Sequence, residues 1–131
     1  MMFRNRLIFE FHRRRRANSR YSLRSFANSL NTDHSTLSKL LSNDRRLTCK
    51  SVRTLGSQLG IDARQIEEYC ALEDEDAVLA AIDHARFRPN SRWIAVATGI
   101  PLDAVNVALH RLLRKGRLAM LSKQWVRASC T

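Results

Sequence analysis

At 131 residues, 44% of them hydrophobic, the chain is long enough for one ordinary domain or two very small ones and can bury a core, which excludes a wholly disordered polymer. Apolar runs such as residues 94–97 are far short of a membrane span, and three cysteines and four histidines without ligand spacing give no zinc site. The formal net charge of +11 and a pI near 11.0 exceed the level typical of nucleic-acid-binding domains.

The first eleven residues alternate charged with apolar side chains, and Arg13, Arg14, Arg15 and Arg16 stand where a leader would have to be cleaved. No signal peptide is read, and a cytoplasmic protein is the expectation. Phe3, Leu7, Ile8 and Phe11 recur at helical spacing and predict a helix over residues 3 to about 16. The four arginines close it, where positive charge complements the helix dipole. Consecutive helical residues point about 100° apart, so one or two of these arginines can reach a phosphate backbone and the rest form a solvated end.

Further helices are predicted at about 22–30, 33–41, 48–59 and 62–71. Three of their starts carry a capping residue inside a hydrophobic staple: Ser22 between Tyr21 and Phe26, Thr48 between Leu47 and Val52, Asp62 between Ile61 and Ile66. Asp62 adds Gln65 for a capping box, the remaining start lies at Thr32 or Asp33, and Gly60 suits a helix end. Cys49 and Cys70 fall on helical faces, where a free thiol behaves as a small buried hydrophobe. The acidic run Glu73, Asp74, Glu75, Asp76 is read as the start of a sixth helix ending near Phe87, with Ala77, Val78, Ala81, Ile82 and Ala85 as its apolar stripe. A flexible linker is the competing reading.

The last forty residues change character. Ser91 caps a short helix over 92–98, Gly99 ends it, Pro101 opens a longer helix to 115, and Gly116 stops that one. Residues 118–121 and 125–126 read as two short strands around Ser122, Lys123 and Gln124. Charge follows the same division. Residues 1–60 carry 13 Lys and Arg against 3 Asp and Glu, residues 61–90 carry 3 against 8, and residues 91–131 carry 7 against 1. Two basic segments around an acidic connector suggest two surfaces that face a polyanion, although a generally basic protein fits the charge as well.

Two helices crossing steeply need a small residue at the contact and a turn residue that tolerates positive φ. Phe26, Ala27, Leu30 and Asn31, followed by Leu37 and Leu40, supply this helix-turn-helix grammar once. Ile94, Ala95, Gly99, Ile100, Val105 and Ala108 supply it again. Asn31 departs from the commoner Gly but is the next-best left-handed residue.

On these residues, and on the runs Tyr21-Ser-Leu-Arg-Ser-Phe-Ala, Ser35-Thr-Leu-Ser-Lys-Leu-Leu and Asn43-Asp-Arg-Arg-Leu-Thr, the chain resembles λ-repressor-like (XRE-type) helix-turn-helix regulators of bacteria. In a group of these a winged-helix-like segment follows, and residues 76–128 fit it. The resemblance implies a mainly all-α fold: a five-helix bundle over residues 1–72, then a small winged helix with a short β-hairpin over 73–131. An effector domain found in longer relatives is expected to be absent.

The resemblance places the recognition helix at 33–41, with His34, Ser35, Ser38, Lys39 and, at its end, Ser42 toward the major groove. Lys39 can donate to guanine, and the serines pair with several base edges or with phosphate. Asp33 is read as a cap, and His34 on an exposed turn is read first as a plain surface residue, with a base contact as the alternative. Arg45 and Arg46 follow the helix, where the phosphate backbone passes, with a solvated loop as the alternative. In the second unit Asp103, Asn106, Val107 and His110 face outward, Asn106 being able to pair with adenine. Arg92, Arg111, Arg114, Lys115, Arg117 and Lys123 surround that face with positive charge. Trp125 is read as a hairpin or core aromatic.

The expected function is sequence-specific binding of double-stranded DNA to regulate transcription, repression being its simplest form. A protein-interaction module is the alternative, an antitoxin or regulator-docking protein whose second unit is a dimer or partner surface. RNA binding wants exposed aromatic platforms that the pattern lacks. No phosphate loop, metal cluster or nucleophile–base pair points to an enzyme, and no cofactor or small-molecule ligand is evident. A homodimer is expected from the palindromes such proteins often read, although no coiled-coil heptads announce it.

Overall fold

The computed structural model describes residues 2–84, 86–121 and 124–127. It is mainly helical, with α1 Phe3–Ala17, α2 Leu23–Ser29, α3 His34–Leu41, α4 Cys49–Gln58, α5 Ala63–Ile82, α6 Ser91–Thr98 and α7 Leu102–Arg114, then strands β1 Leu118–Leu121 and β2 Gln124–Arg127. The chain divides into two compact units, Met1–Glu73 and Asp74–Thr131, and the division falls within α5.

Local chemistry starts and stops these helices. The side chains of Ser22, Asp33 and Thr48 accept the backbone N–H groups of Ser25, Thr36 and Ser51, each three residues on. That satisfies one of the donors every helix start leaves open. At the C-terminus of α2, Asn31 takes φ 56, its N–H reaches Asn28 O at 3.1 Å, and Thr32 N–H reaches Ala27 O at 3.0 Å. This pair of bonds is a Schellman motif. α3 ends the same way on Asn43 at φ 65, and α4 and α7 end so on Gly60 and Gly116, both at φ 71.

In the first unit α1 contributes Phe3 and Leu7 to the core, α2 contributes Phe26 and Ala27, α3 contributes Leu37 and Leu40, and Leu30, Leu47, Val52, Leu55, Ile61, Ile66 and Cys70 complete it. Phe11 stacks on Phe26 at 5.4 Å between ring centroids, and Phe3 meets Tyr69 edge-on at the same distance. Gly56 marks a close approach of α4 and α5: a Cβ there would stand 2.9 Å from Ile66 Cγ1.

In the second unit Val78, Leu79 and Ile82 of α5 pack with Ile94 of α6, Val105, Ala108, Leu109 and Leu112 of α7, and Leu118 of β1. α6 and α7 meet at a 111° bend across residues 99–101. Gly99 makes that turn at φ 74, with its N–H on Ala95 O at 2.9 Å. β1 and β2 pair antiparallel, Leu118 opposite Arg127 and Leu121 opposite Gln124.

Three expectations are corrected. The helices expected at 62–71 and from residue 73 are one helix, α5, which ends at Ile82 and not near Phe87. Acidic residues favour a helix start but also sit well inside a helix, and Glu75, Val78, Leu79 and Ile82 form one continuous buried stripe at helical spacing. Ala77 and Ala81 flank that stripe half-buried, and Ala85 lies outside the described residues. The cap of α6 is Asn90, whose Oδ1 accepts Trp93 N–H at 2.7 Å, and Ser91 is the first residue of the helix. Ser122, Lys123 and Cys130 lie outside the described residues, as does the side chain of Trp125.

Candidate nucleic-acid interface

α3 divides into two faces because its apolar residues recur at helical spacing. Leu37 and Leu40 are buried and Leu41 is half-buried, whereas His34, Ser35, Lys39 and Ser42 are exposed and Ser38 is half-buried. The structure thus brings the residues expected at the groove onto one side of a short helix, with Ser38 at the edge.

Asp33 fixes the start of that helix. Its carboxylate accepts Thr36 N–H at 3.1 Å and the Thr36 hydroxyl at 2.9 Å. The hydroxyl bond first, then the backbone bond and the nearby charges of Arg45 and Lys39, hold the Asp33 carboxyl below its usual range. Asp33 is therefore committed to capping. Arg45 returns across the helix start, its Nη1 at 3.4 Å from Thr36 Oγ1, so the loop after α3 is drawn toward the start of that helix. Arg45 and Arg46 are both exposed.

Two residues in this region carry roles that sequence reasoning missed. Thr36 links Asp33 to Arg45, and Asp44 accepts the Ser42 hydroxyl at 2.9 Å. Ser42 is consequently occupied by an intramolecular bond, and a contact to DNA has to compete with it. The signal for Asp44 was present, since an acidic residue two positions beyond a serine at a helix end is well placed to accept its hydroxyl. The second left-handed residue, Asn43, also went unread.

The arginine run of α1 is largely used within the unit. Glu10 accepts from both Arg13 and Arg14, and Arg14 also donates to the Tyr21 hydroxyl at 3.0 Å and to Ser29 Oγ at 2.8 Å, while lying over the Phe26 ring. The Arg13 bond leads the causes that lower the Glu10 carboxyl. Arg14 fastens α1 to α2, and Arg15 lies over Phe11. Arg16 is exposed at the helix end.

In the second unit Arg92, Asp103, Asn106, Val107, His110 and Arg114 are all exposed, and Lys123 lies outside the described residues. The positive surround expected there is reduced. Glu75 is 0% exposed, and its carboxylate meets Lys115 Nζ at 2.9 Å and Arg111 Nε at 3.7 Å. Both cations therefore face an internal anion, and a residue read as part of an acidic helix start is a buried counter-charge. Val96, at 86% exposure, and Val107, at 58%, add apolar surface on α6 and α7.

Among the described residues no group of three or more His, Cys, Asp or Glu side chains is placed to hold a metal ion, and no single helix is long and apolar enough to cross a membrane. No family model, curated protein or solved structure matches the chain.

Proposed function

We propose that the chain binds double-stranded DNA sequence-specifically through α3 and regulates transcription, most simply as a repressor. On this reading the first unit is a λ-repressor-like five-helix bundle, in which the first part of α5 serves as the fifth helix. The second is a small winged helix with the β1–β2 hairpin as its wing. The observation that carries the proposal is the exposed polar face of α3: His34, Ser35 and Lys39 project from a helix pinned by Leu37 and Leu40, with Arg45 tied back over its start. Lys39 then donates to a guanine edge, while Arg45 and Arg46 hold phosphate. The 111° bend between α6 and α7 falls within the range for a helix-turn-helix and supports a second, weaker contact through Asn106 and His110.

The exposed Val96 and Val107 favour a second reading for that unit alone, as a surface for a protein partner or a second copy of the chain. One selection tests the DNA reading. Duplexes with randomised cores are mixed with the protein, and the bound fraction is sequenced at low and moderate salt. Enrichment of one motif supports a specific regulator, and neutralising about six phosphates gives a slope of log K against log salt near −5. Binding that vanishes with salt and enriches nothing removes that reading and leaves the partner surface.

A further inference from the structure

Cys49 and Cys70 lie 21 positions apart in the chain, yet each thiol reaches the other's backbone. Cys49 Sγ is 3.5 Å from the Cys70 carbonyl oxygen, and Cys70 Sγ is 3.5 Å from the Cys49 carbonyl oxygen. This reciprocity sets the two side chains next to each other between α4 and α5. Neither sulfur is in a disulfide.

Their environments are unequal. Cys49 is the first residue of α4, directly after the Thr48 cap, and is half-buried. A helix N-terminus favours the thiolate. Cys70 is 2% exposed, inside the core of the first unit. Arg53, held by Glu67 at 3.0 Å, stands one turn after Cys49 on α4.

We propose that Cys49 and Cys70 are a reactive thiol pair that a peroxide converts to an intramolecular disulfide, with Cys49 attacking first and Cys70 resolving. In the first step the Cys49 thiolate attacks one peroxide oxygen, the O–O bond breaks, and the departing hydroxide takes up a proton as water, which leaves Cys49 as the sulfenic acid. The Cys70 sulfur then attacks the Cys49 sulfur. The S–S bond forms, the S–O bond breaks, and the hydroxide leaves as a second water with the Cys70 proton. Two thiols are oxidised by two electrons, and hydrogen peroxide is reduced by two. Because Cys49 opens α4 just beyond the loop that carries Arg45 and Arg46, the bridge ties the exit of that loop to α5. This coupling rests on the DNA reading.

The test uses the full chain with Cys130→Ser, treated with hydrogen peroxide under native conditions and mapped by mass spectrometry without reduction. The expected product is one Cys49–Cys70 linked peptide, with loss of both free thiols and recovery of both on adding dithiothreitol. In a Cys70→Ser variant that keeps its helical circular dichroism, Cys49 should accumulate as a sulfenic acid that dimedone traps. Two thiols that both remain open to alkylation after peroxide would overturn the proposal without recourse to any variant at these positions. So would a Cys70 that oxidises equally fast when Cys49→Ser removes its neighbour. The bridge is read by mass and the coupling by titrating oxidised and reduced protein against one duplex. Equal affinities for a duplex that the reduced protein binds would overturn the coupling alone.

Discussion

At the scale of single residues, charge alone does not say which cations are free to meet a polyanion. Arg13 and Arg14 share Glu10, Arg53 holds Glu67, and Arg111 and Lys115 face Glu75, whereas Lys39 and Arg45 stand exposed on and beside α3. Removing Lys39 as Lys39→Ala should therefore cost about 1–3 kcal/mol of binding at one base position and relax specificity there. Arg45→Ala should weaken all duplexes alike and lower the salt slope by about one. Competition binding with matched and mismatched duplexes checks both, and a Lys39→Ala chain with unchanged specificity would sink the groove assignment. Glu75 gives an asymmetric prediction. The carboxylate is fully buried while Arg111 and Lys115 are each partly exposed, so removing the anion leaves cations that are still partly solvated, with Arg111 Nε buried, but removing both cations leaves a fully buried charge unpaired. The double variant Arg111→Ala, Lys115→Ala should lose about 3 kcal/mol or more in urea unfolding, and Glu75→Gln clearly less. The opposite order would mean that the cations, not the carboxylate, carry the cost of desolvation.

At the scale of elements, several helix ends were legible, though the cap of α6 and the end of α5 were not, and the continuity of α5 was missed. Ser22, Asp33, Thr48, Asn31 and Gly99 act through bonds to residues one to four positions away, and a sequence displays such neighbours directly. The same local signals misled at Glu73–Asp76, where an acidic start pattern sits inside one 20-residue helix. What overrides it is the stripe from Glu75 to Ile82, whose partners lie on α6 and α7, and no local pattern reveals them. The candidate face of α3 was readable because the alternation of leucine with polar residues has the helical period. The pairing of Arg111 and Lys115 with Glu75 and the meeting of Cys49 with Cys70 depend on contacts across the fold, whereas the bond from Ser42 to Asp44 is local. Two substitutions weigh backbone preference against space. Ala at an exposed helix position gains about 1 kcal/mol over Gly, but a Cβ at Gly56 meets Ile66 Cγ1 at 2.9 Å, and overpacking of this kind costs about 1–3 kcal/mol. Gly56→Ala should thus destabilise on balance, as read by the urea midpoint, and a stabilised protein would mean that Ile66 yields freely. At Asn31, with φ 56, Asn31→Ala should cost about 1 kcal/mol and Asn31→Gly should be neutral or better. Equal losses from the two would point to the asparagine side chain and not to its backbone.

At the scale of the whole molecule, the excess of 23 Lys and Arg over 12 Asp and Glu makes stability depend on keeping the few carboxylates ionised. Glu10 and Glu67 are lowered from 4.5, chiefly by hydrogen bonds from Arg13 and Arg53, and Asp33 is lowered from 3.8 by Thr36. A depressed folded-state value stabilises the native form at every pH above the unfolded value, and that gain disappears as pH falls through the folded value. The melting temperature of the protein should accordingly be nearly flat from pH 7 to about 5 and should decline below about 4.5, where the unfolded chain begins to bind protons that the folded one refuses. Self-repulsion steepens the decline, because neutralised carboxylates no longer offset the cations. Moderate salt should recover that part by screening. Asp33 and Glu67 are exposed and Glu10 is half-buried, so the first two contribute modestly and Glu10 somewhat more. The triple variant Glu10→Gln, Asp33→Asn, Glu67→Gln should melt lower at pH 7 and show a shallower fall in acid. If it falls as steeply as the parent, then self-repulsion alone governs the acid limb, and the hydrogen bonds from Arg13, Arg53 and Thr36 play no part in it.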